Sequence, residues 1–223
     1  MNKALEEKLM TLAEARQAKN DPSHDFQHIR RVFFIAKKIG ESEKADMDVI
    51  VPAALFHDTV VYEKGSPKSK YETEESAAAT GTILQGLEEY PKEKIARVEE
   101  CIRECSFTKG LKPSSRESAV LQDADLLEST GAISIIRTFS SGGQMNRPFY
   151  SALDPFRENT EPNVKDSGLD LFYVRLLKAR DRMHTDYAKH IAERRTEFLN
   201  DFLKELKMEL DEAGVTPDKR TTL

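Results

Sequence analysis

The chain is poor in several features that would place it in a class at once. Only two cysteines occur among 223 residues, so no disulfide framework of the kind that staples small secreted folds is available. No excess of positive charge exists: 34 lysines and arginines face 39 aspartates and glutamates, for a net charge of -5. That balance argues against a general binder of DNA, RNA or acidic membranes, although a small anionic substrate needs only a local cluster of cations. The longest apolar stretch, around Val49 to Phe56, is far too short to span a bilayer. The opening "MNKALEEKLM" carries acids where a signal peptide needs an uninterrupted apolar segment. A soluble cytoplasmic protein with no membrane and no nucleic-acid polymer as partner is the expectation. Strand signals are nearly missing as well. The β-branched run Thr59, Val60, Val61 and Tyr62 has no hairpin pattern around it.

What the chain does have is helical periodicity. "NKALEEKLMTLAEARQAK" repeats Leu5, Leu9 and Leu12 at spacings of four and three, with charge on the other face. "DFQHIRRVFFIAKKIG" predicts a second helix, with Ile29, Val32, Phe33, Ile35 and Ala36 as its apolar stripe and Gly40 as its stop. "DMDVIVPAALFHD" predicts a third, with Pro52 near its first turn. "YETEESAAATGTILQGL", "PKEKIARVEECIREC" and "SSRESAVLQDADLLEST" predict three more, the last opened by a partial capping box at Ser115. "GAISIIRTFS" reads as a short apolar segment. Residues 141 to 168 read as a Gly/Pro/Asn-rich loop too long for a mere connection. Amphipathic stretches at 169 to 184 and 185 to 211 close an all-α fold, and a frayed tail follows. No repeat or linker divides the chain, so a single domain is expected.

Chemistry enters with "ALFHDTV", where His57 and Asp58 end an apolar helix side by side. Neighbours on a helix lie about 100° apart and do not face one another, but both can converge on a cation. His28 lies in line with Val32 and Ile35 on the second helix, and Asp125 sits next to Leu126 and Leu127 on the sixth. Each alone has a bland reading, as a hydrogen-bonded core histidine or a solvated acid. Together they place H, HD and D near the apolar seams of three helices. Two imidazoles and two carboxylates neutralise one divalent ion. The mixed N/O set suits manganese, iron, cobalt, nickel or magnesium, while the lack of thiolates argues against structural zinc.

"HDFQHIRRVFFIA", "AALFHDTVVYE" and "DADLLESTGAISIIRTF" resemble the successive motifs of the HD-domain metal-dependent phosphohydrolase superfamily, and within it a group of stand-alone bacterial hydrolases. The resemblance implies a single helical HD-domain fold over residues 1–223. Its core spans about 20–140, long C-terminal helices about 169–211, and a flexible tail 212–223. It implies His28, His57, Asp58 and Asp125 as ligands of one divalent metal, manganese foremost. One ion is expected because no further histidine lies between Asp58 and Asp125. It also implies hydrolysis of a phosphoester or phosphoanhydride bond, commonly in a nucleotide. Three positions depart from the group's pattern: Cys105 stands where a histidine commonly opens the "HSFS" segment, Leu171 precedes "FYVRLLKARD" where a second histidine is common, and Glu128 replaces an aspartate.

A metal ion acidifies its water, so direct in-line attack by water is the simplest scheme. Asp58, His24 and Asp25 are the catalytic candidates, the last two as general acid or base. The competing reading of "DPSHD" is helix capping by Asp21, Ser23 or Asp25. Arg147, Tyr150, Arg175 and Lys178 are the substrate-binding candidates. They offer cations for phosphate and an aromatic face for a base, with residues 141 to 168 as wall or lid. Cys101 and Cys105, at i and i+4, are read as buried thiols. The competing functional class is a metal-retaining HD module that binds or regulates with little hydrolysis. The long amphipathic C-terminal stretch leaves room for a homodimer.

Overall fold

The computed structural model describes residues 1–16, 25–63, 66–106 and 109–215. Among these residues its regular structure is all helical, with no strand, and Thr59 to Tyr62 run as irregular chain. The chain forms two compact units: Met1–Leu126 with His184–Ala188, and Leu127–Met183 with Lys189–Leu223.

The first unit contains α1 (Lys3–Arg16), α2 (Phe26–Ser42), α3 (Met47–Phe56), α4 (Glu72–Gln85), α5 (Ile95–Glu104) and α6 (Arg116–Leu126). α2 packs on α3 and α6, and α4 on α5. The side chain of Asp25 caps α2, accepting from the His28 amide at 2.9 Å. From there the row His28, Val32, Ala36, Gly40 is buried at intervals of four. Gly40 does not stop the helix, which runs on to Ser42. A Cβ at Gly40 would lie 2.6 Å from Ile50 Cδ1, so its small size serves the α2–α3 contact.

α3 is buried from Val49 to Phe56, as an apolar helix packed on all sides must be. Pro52 lies inside it, not in its first turn. Lacking an N–H, Pro52 cannot bond the Asp48 carbonyl four residues back. The Tyr90 hydroxyl donates to that carbonyl instead, at 2.8 Å, from an almost fully buried ring. Ser115 opens α6 by accepting from the Ser118 amide at 3.0 Å.

The second unit contains α7 (Gly131–Gln144), a π-helical turn at Phe172–Leu176, a 3-10 turn at Ala179–Arg182 and most of α8 (Asp186–Glu212). Its core is Leu169, Phe172, Leu176 and Leu199, with Phe139, Tyr150 and Phe202 packed against it. α7 extends four residues into the segment expected as loop. The stretch 169 to 184 is not one long α-helix: the wide π-helical turn at Phe172–Leu176 is followed by the 3-10 turn at Ala179–Arg182.

Candidate metal centre

Three elements of the first unit carry the site. The Asp25 cap fixes the first turn of α2 and so the height of His28. His57 is the C-cap of α3, with Asp58 in the turn beyond it. Asp125 comes from the last turn of α6. The two imidazole rings are edge-on, their centroids 5.4 Å apart. His28 Nε2 lies 3.5 Å from Asp58 Oδ2 and 3.6 Å from Asp125 Oδ1; for His57 Nε2 the same distances are 3.6 and 3.9 Å. Donor atoms of His28, His57 and Asp125 all lie within 4.8 Å of one another.

These separations fit donors that share an ion. Two ligands at about 2.1 Å from one metal can be at most about 4.2 Å apart, and all four nitrogen–oxygen distances lie under that ceiling. The orientation of His57 is more telling. Its Nδ1 is 2.9 Å from the Ala54 carbonyl and must donate to it, which puts the lone pair on Nε2. That Nε2 is buried and makes no hydrogen bond. A buried polar atom without a partner is costly, and a cation at this point would satisfy it. The side chains of both histidines are 1% exposed, whereas those of Asp58 and Asp125 are about a quarter exposed, 25% and 26%. The site therefore has a buried nitrogen floor and a carboxylate rim open to solvent.

Cys105 is buried beside this centre. Burial, with the Asp125 and Asp58 carboxylates adding to it, pushes its thiol well above the ordinary value. Burial likewise pushes Cys101 up to about 11. Both are buried protonated thiols, as the sequence reading has them. Asp123, two residues before Asp125, was not singled out in sequence, where "DAD" reads as a solvated face or cap. It is fully buried, accepting from the amides of His184 and Thr185 at 2.8 and 2.7 Å and from the Thr185 hydroxyl at 2.7 Å. It thereby fixes the start of α8 against α6.

Of the remaining candidates, His24 lies outside the described residues, as do Asp21 and Ser23. Asp25 serves as the N-cap described above. Arg147, Tyr150, Arg175 and Lys178 all belong to the second unit. The Arg147 amide donates to the Gly142 carbonyl behind α7, and Tyr150 leans on the core. Arg175 sits on the π turn, a distortion frequent at functional sites. Lys178 is exposed. The loop that carries Arg147 and Tyr150 is closed at its base by Gly168 and Leu169 amides bonded to Pro148 and Phe149 carbonyls, 2.9 Å each. Inside it, Arg157 makes a two-pronged pair with the buried Asp170, at 2.5 and 2.7 Å, and Asp154 accepts from two loop amides and Thr160.

Known proteins resemble the chain over nearly its whole length. YpgQ of Bacillus subtilis is 29% identical over 208 residues, covering 92% of this chain and 93% of that protein. Its structure, solved in complex with ADP, matches with a TM-score of 0.68 over 92% of this chain and 97% of that one. Lin1889 from Listeria innocua is 30% identical, with a TM-score of 0.70 over 95% and 98% of the two chains. An HD-superfamily hydrolase from Bacillus thuringiensis is also 30% identical, with a TM-score of 0.68 over 93% and 97%. The HD domain pattern itself matches residues 25–130, the stretch that holds His28, His57, Asp58 and Asp125. Among the described residues no helix is long and apolar enough to cross a membrane. With this fold, this donor set and these relatives, the chain belongs to the HD-domain superfamily.

Proposed function

We propose that the chain is a metal-dependent phosphohydrolase that cleaves a phosphoester or phosphoanhydride bond of a nucleotide or related small phosphate compound. The observation that carries this reading is the buried Nε2 of His57, aimed with its lone pair at the space shared with His28, Asp58 and Asp125. These four side chains are the proposed ligands of one divalent ion, manganese foremost. Such an ion supplies charge for a phosphoryl oxygen and a water acidified towards neutral pH. The chain's residues do the rest. The histidines hold the floor, and the partly exposed Asp58 orients the attacking water at the rim. His24 and Asp25 are the proposed proton carriers. Arg147, Tyr150, Arg175 and Lys178 are the proposed contacts to the remainder of the substrate. The ADP bound to YpgQ supports a nucleotide as ligand.

A panel of nucleotides and phosphate esters, assayed as purified, after chelation and after Mn²⁺ is restored, tests the proposal. Hydrolysis should disappear with the chelator and return with the metal, and His57→Ala should abolish both metal binding and turnover. Activity that survives chelation would place the chemistry elsewhere. Metal binding without any turnover would favour a binding or regulatory module.

A further inference from the structure

We infer that Lys109 is the cation that receives a substrate phosphate at the His28, His57, Asp58 and Asp125 centre. The inference rests on the hydrolase reading above. Two carboxylates and a divalent ion cancel in charge, so an incoming phosphate brings negative charge that nothing in the ligand set offsets. Several cations of the first unit are committed to carboxylates. Lys37 is paired with Glu6, Lys94 with Asp46 and Asp48, and Arg103 with Glu99.

Lys109 is held differently. Its ammonium donates to a neutral hydroxyl, Thr73 Oγ1, at 2.5 Å. Thr73 lies on the first turn of α4, and the start of the same helix also holds the chain leaving the His57–Asp58 pair. The Val60 amide donates to Ser76 Oγ at 3.0 Å, and the Tyr62 amide to Glu72 Oε1 at 2.8 Å. The start of α4 thus anchors both the segment two residues beyond Asp58 and the Lys109 ammonium. From its other side, Lys109 follows Cys105 by four residues. Lys109 is exposed, so a ligand can reach it. An ammonium has three donors. With one spent on Thr73, two are left for phosphate oxygens without breaking the bond that positions it.

In sequence, the lysine of "TKG" looks like any solvated lysine of a loop. The test is ADP binding to Mn²⁺-loaded protein by calorimetry, with Mn²⁺ binding itself followed by electron paramagnetic resonance. Lys109→Ala should weaken ADP binding about tenfold to a hundredfold, the worth of one charge-assisted hydrogen bond, and leave Mn²⁺ binding as in wild type. Lys109→Arg should recover most of the loss. Unchanged ADP affinity in Lys109→Ala overturns the inference. So does a loss of Mn²⁺ binding in that variant, which would make Lys109 a support of the metal centre. If wild-type protein binds no Mn²⁺, the hydrolase reading falls and the inference with it, an outcome told apart by the missing resonance change.

Discussion

Asp25 and Asp123 are acids whose geometry is already accounted for by capping or anchoring, which makes their chemistry separable from their structural work. Asp25 caps α2, and asparagine caps a helix about as well as aspartate, whereas alanine costs about 1 kcal/mol. Asp25→Asn should therefore keep the thermal midpoint of wild type, and Asp25→Ala should lower the stability of the fold by about 1 kcal/mol. If Asp25 also carries a proton, kcat falls in the asparagine variant while stability does not. Unchanged kcat in that variant confines Asp25 to capping and leaves His24 as the proton carrier. For Asp123 the expectation is a stability effect. Removing its carboxylate strands two amides and a hydroxyl in a fully buried place. At about 1 kcal/mol or more for each orphaned group, Asp123→Ala should cost about 3 kcal/mol by chemical denaturation. A cost under about 1 kcal/mol would mean that the start of α8 finds other partners.

At the scale of elements, α3 shows a helix that tolerates an internal proline because another element supplies the missing bond. Tyr90→Phe should leave the Asp48 carbonyl without its donor and cost about 1–2 kcal/mol. In a Pro52→Ala background the alanine amide takes that carbonyl, so the same change at Tyr90 should cost clearly less. A double-mutant cycle by urea denaturation reads the difference directly; equal costs in both backgrounds would refute the compensation. No sequence pattern could have disclosed this pairing, because Tyr90 and Pro52 are 38 positions apart and their link is a single carbonyl. The same limit explains the other departures. Gly40 reads as a stop because glycine usually ends helices, yet here a close approach by Ile50 decides it. Residues 169 to 184 have helical periodicity, but they form a wide π-helical turn and then a 3-10 turn rather than one α-helix. What was legible is what repeats locally: the apolar stripes of α1 and α2, the Ser115 cap, and the seam positions of His28, His57 and Asp125. Asp123 and Lys109 were not legible, since their roles depend on groups 61 and 36 residues away.

At the scale of the whole molecule, stability should respond to acid through one cluster of the first unit. Asp46 is partly buried, which by itself would raise its carboxyl, but Lys94, the Asp48 amide and Arg97 hold it below its ordinary value. Lys94 and then the Met1 ammonium lower Asp48. Burial opposes ionisation of Glu117, yet the Asp46 amide and Arg97 bring it down too. A carboxyl whose folded pKa is depressed adds stability that is fully present above its unfolded pKa, about 4, and that is lost as pH falls through the folded value. Asp123 has the opposite sign, because burial raises its pKa against the pull of its hydrogen bonds. Its contribution is present in acid and lost as pH rises through the folded value. The three lowered carboxyls of this cluster, joined by the lowered Glu89 and Asp154, outweigh the one raised and give a thermal midpoint that stays level between about pH 7 and pH 5 and falls steeply below about pH 4. Lys94 bonds Asp46 and Asp48 at 3.0 and 2.6 Å, so Lys94→Met should lower the plateau and flatten the acid limb. Calorimetric scans of both proteins across this range check the prediction. An acid limb equally steep in Lys94→Met would show that the cluster does not govern the response.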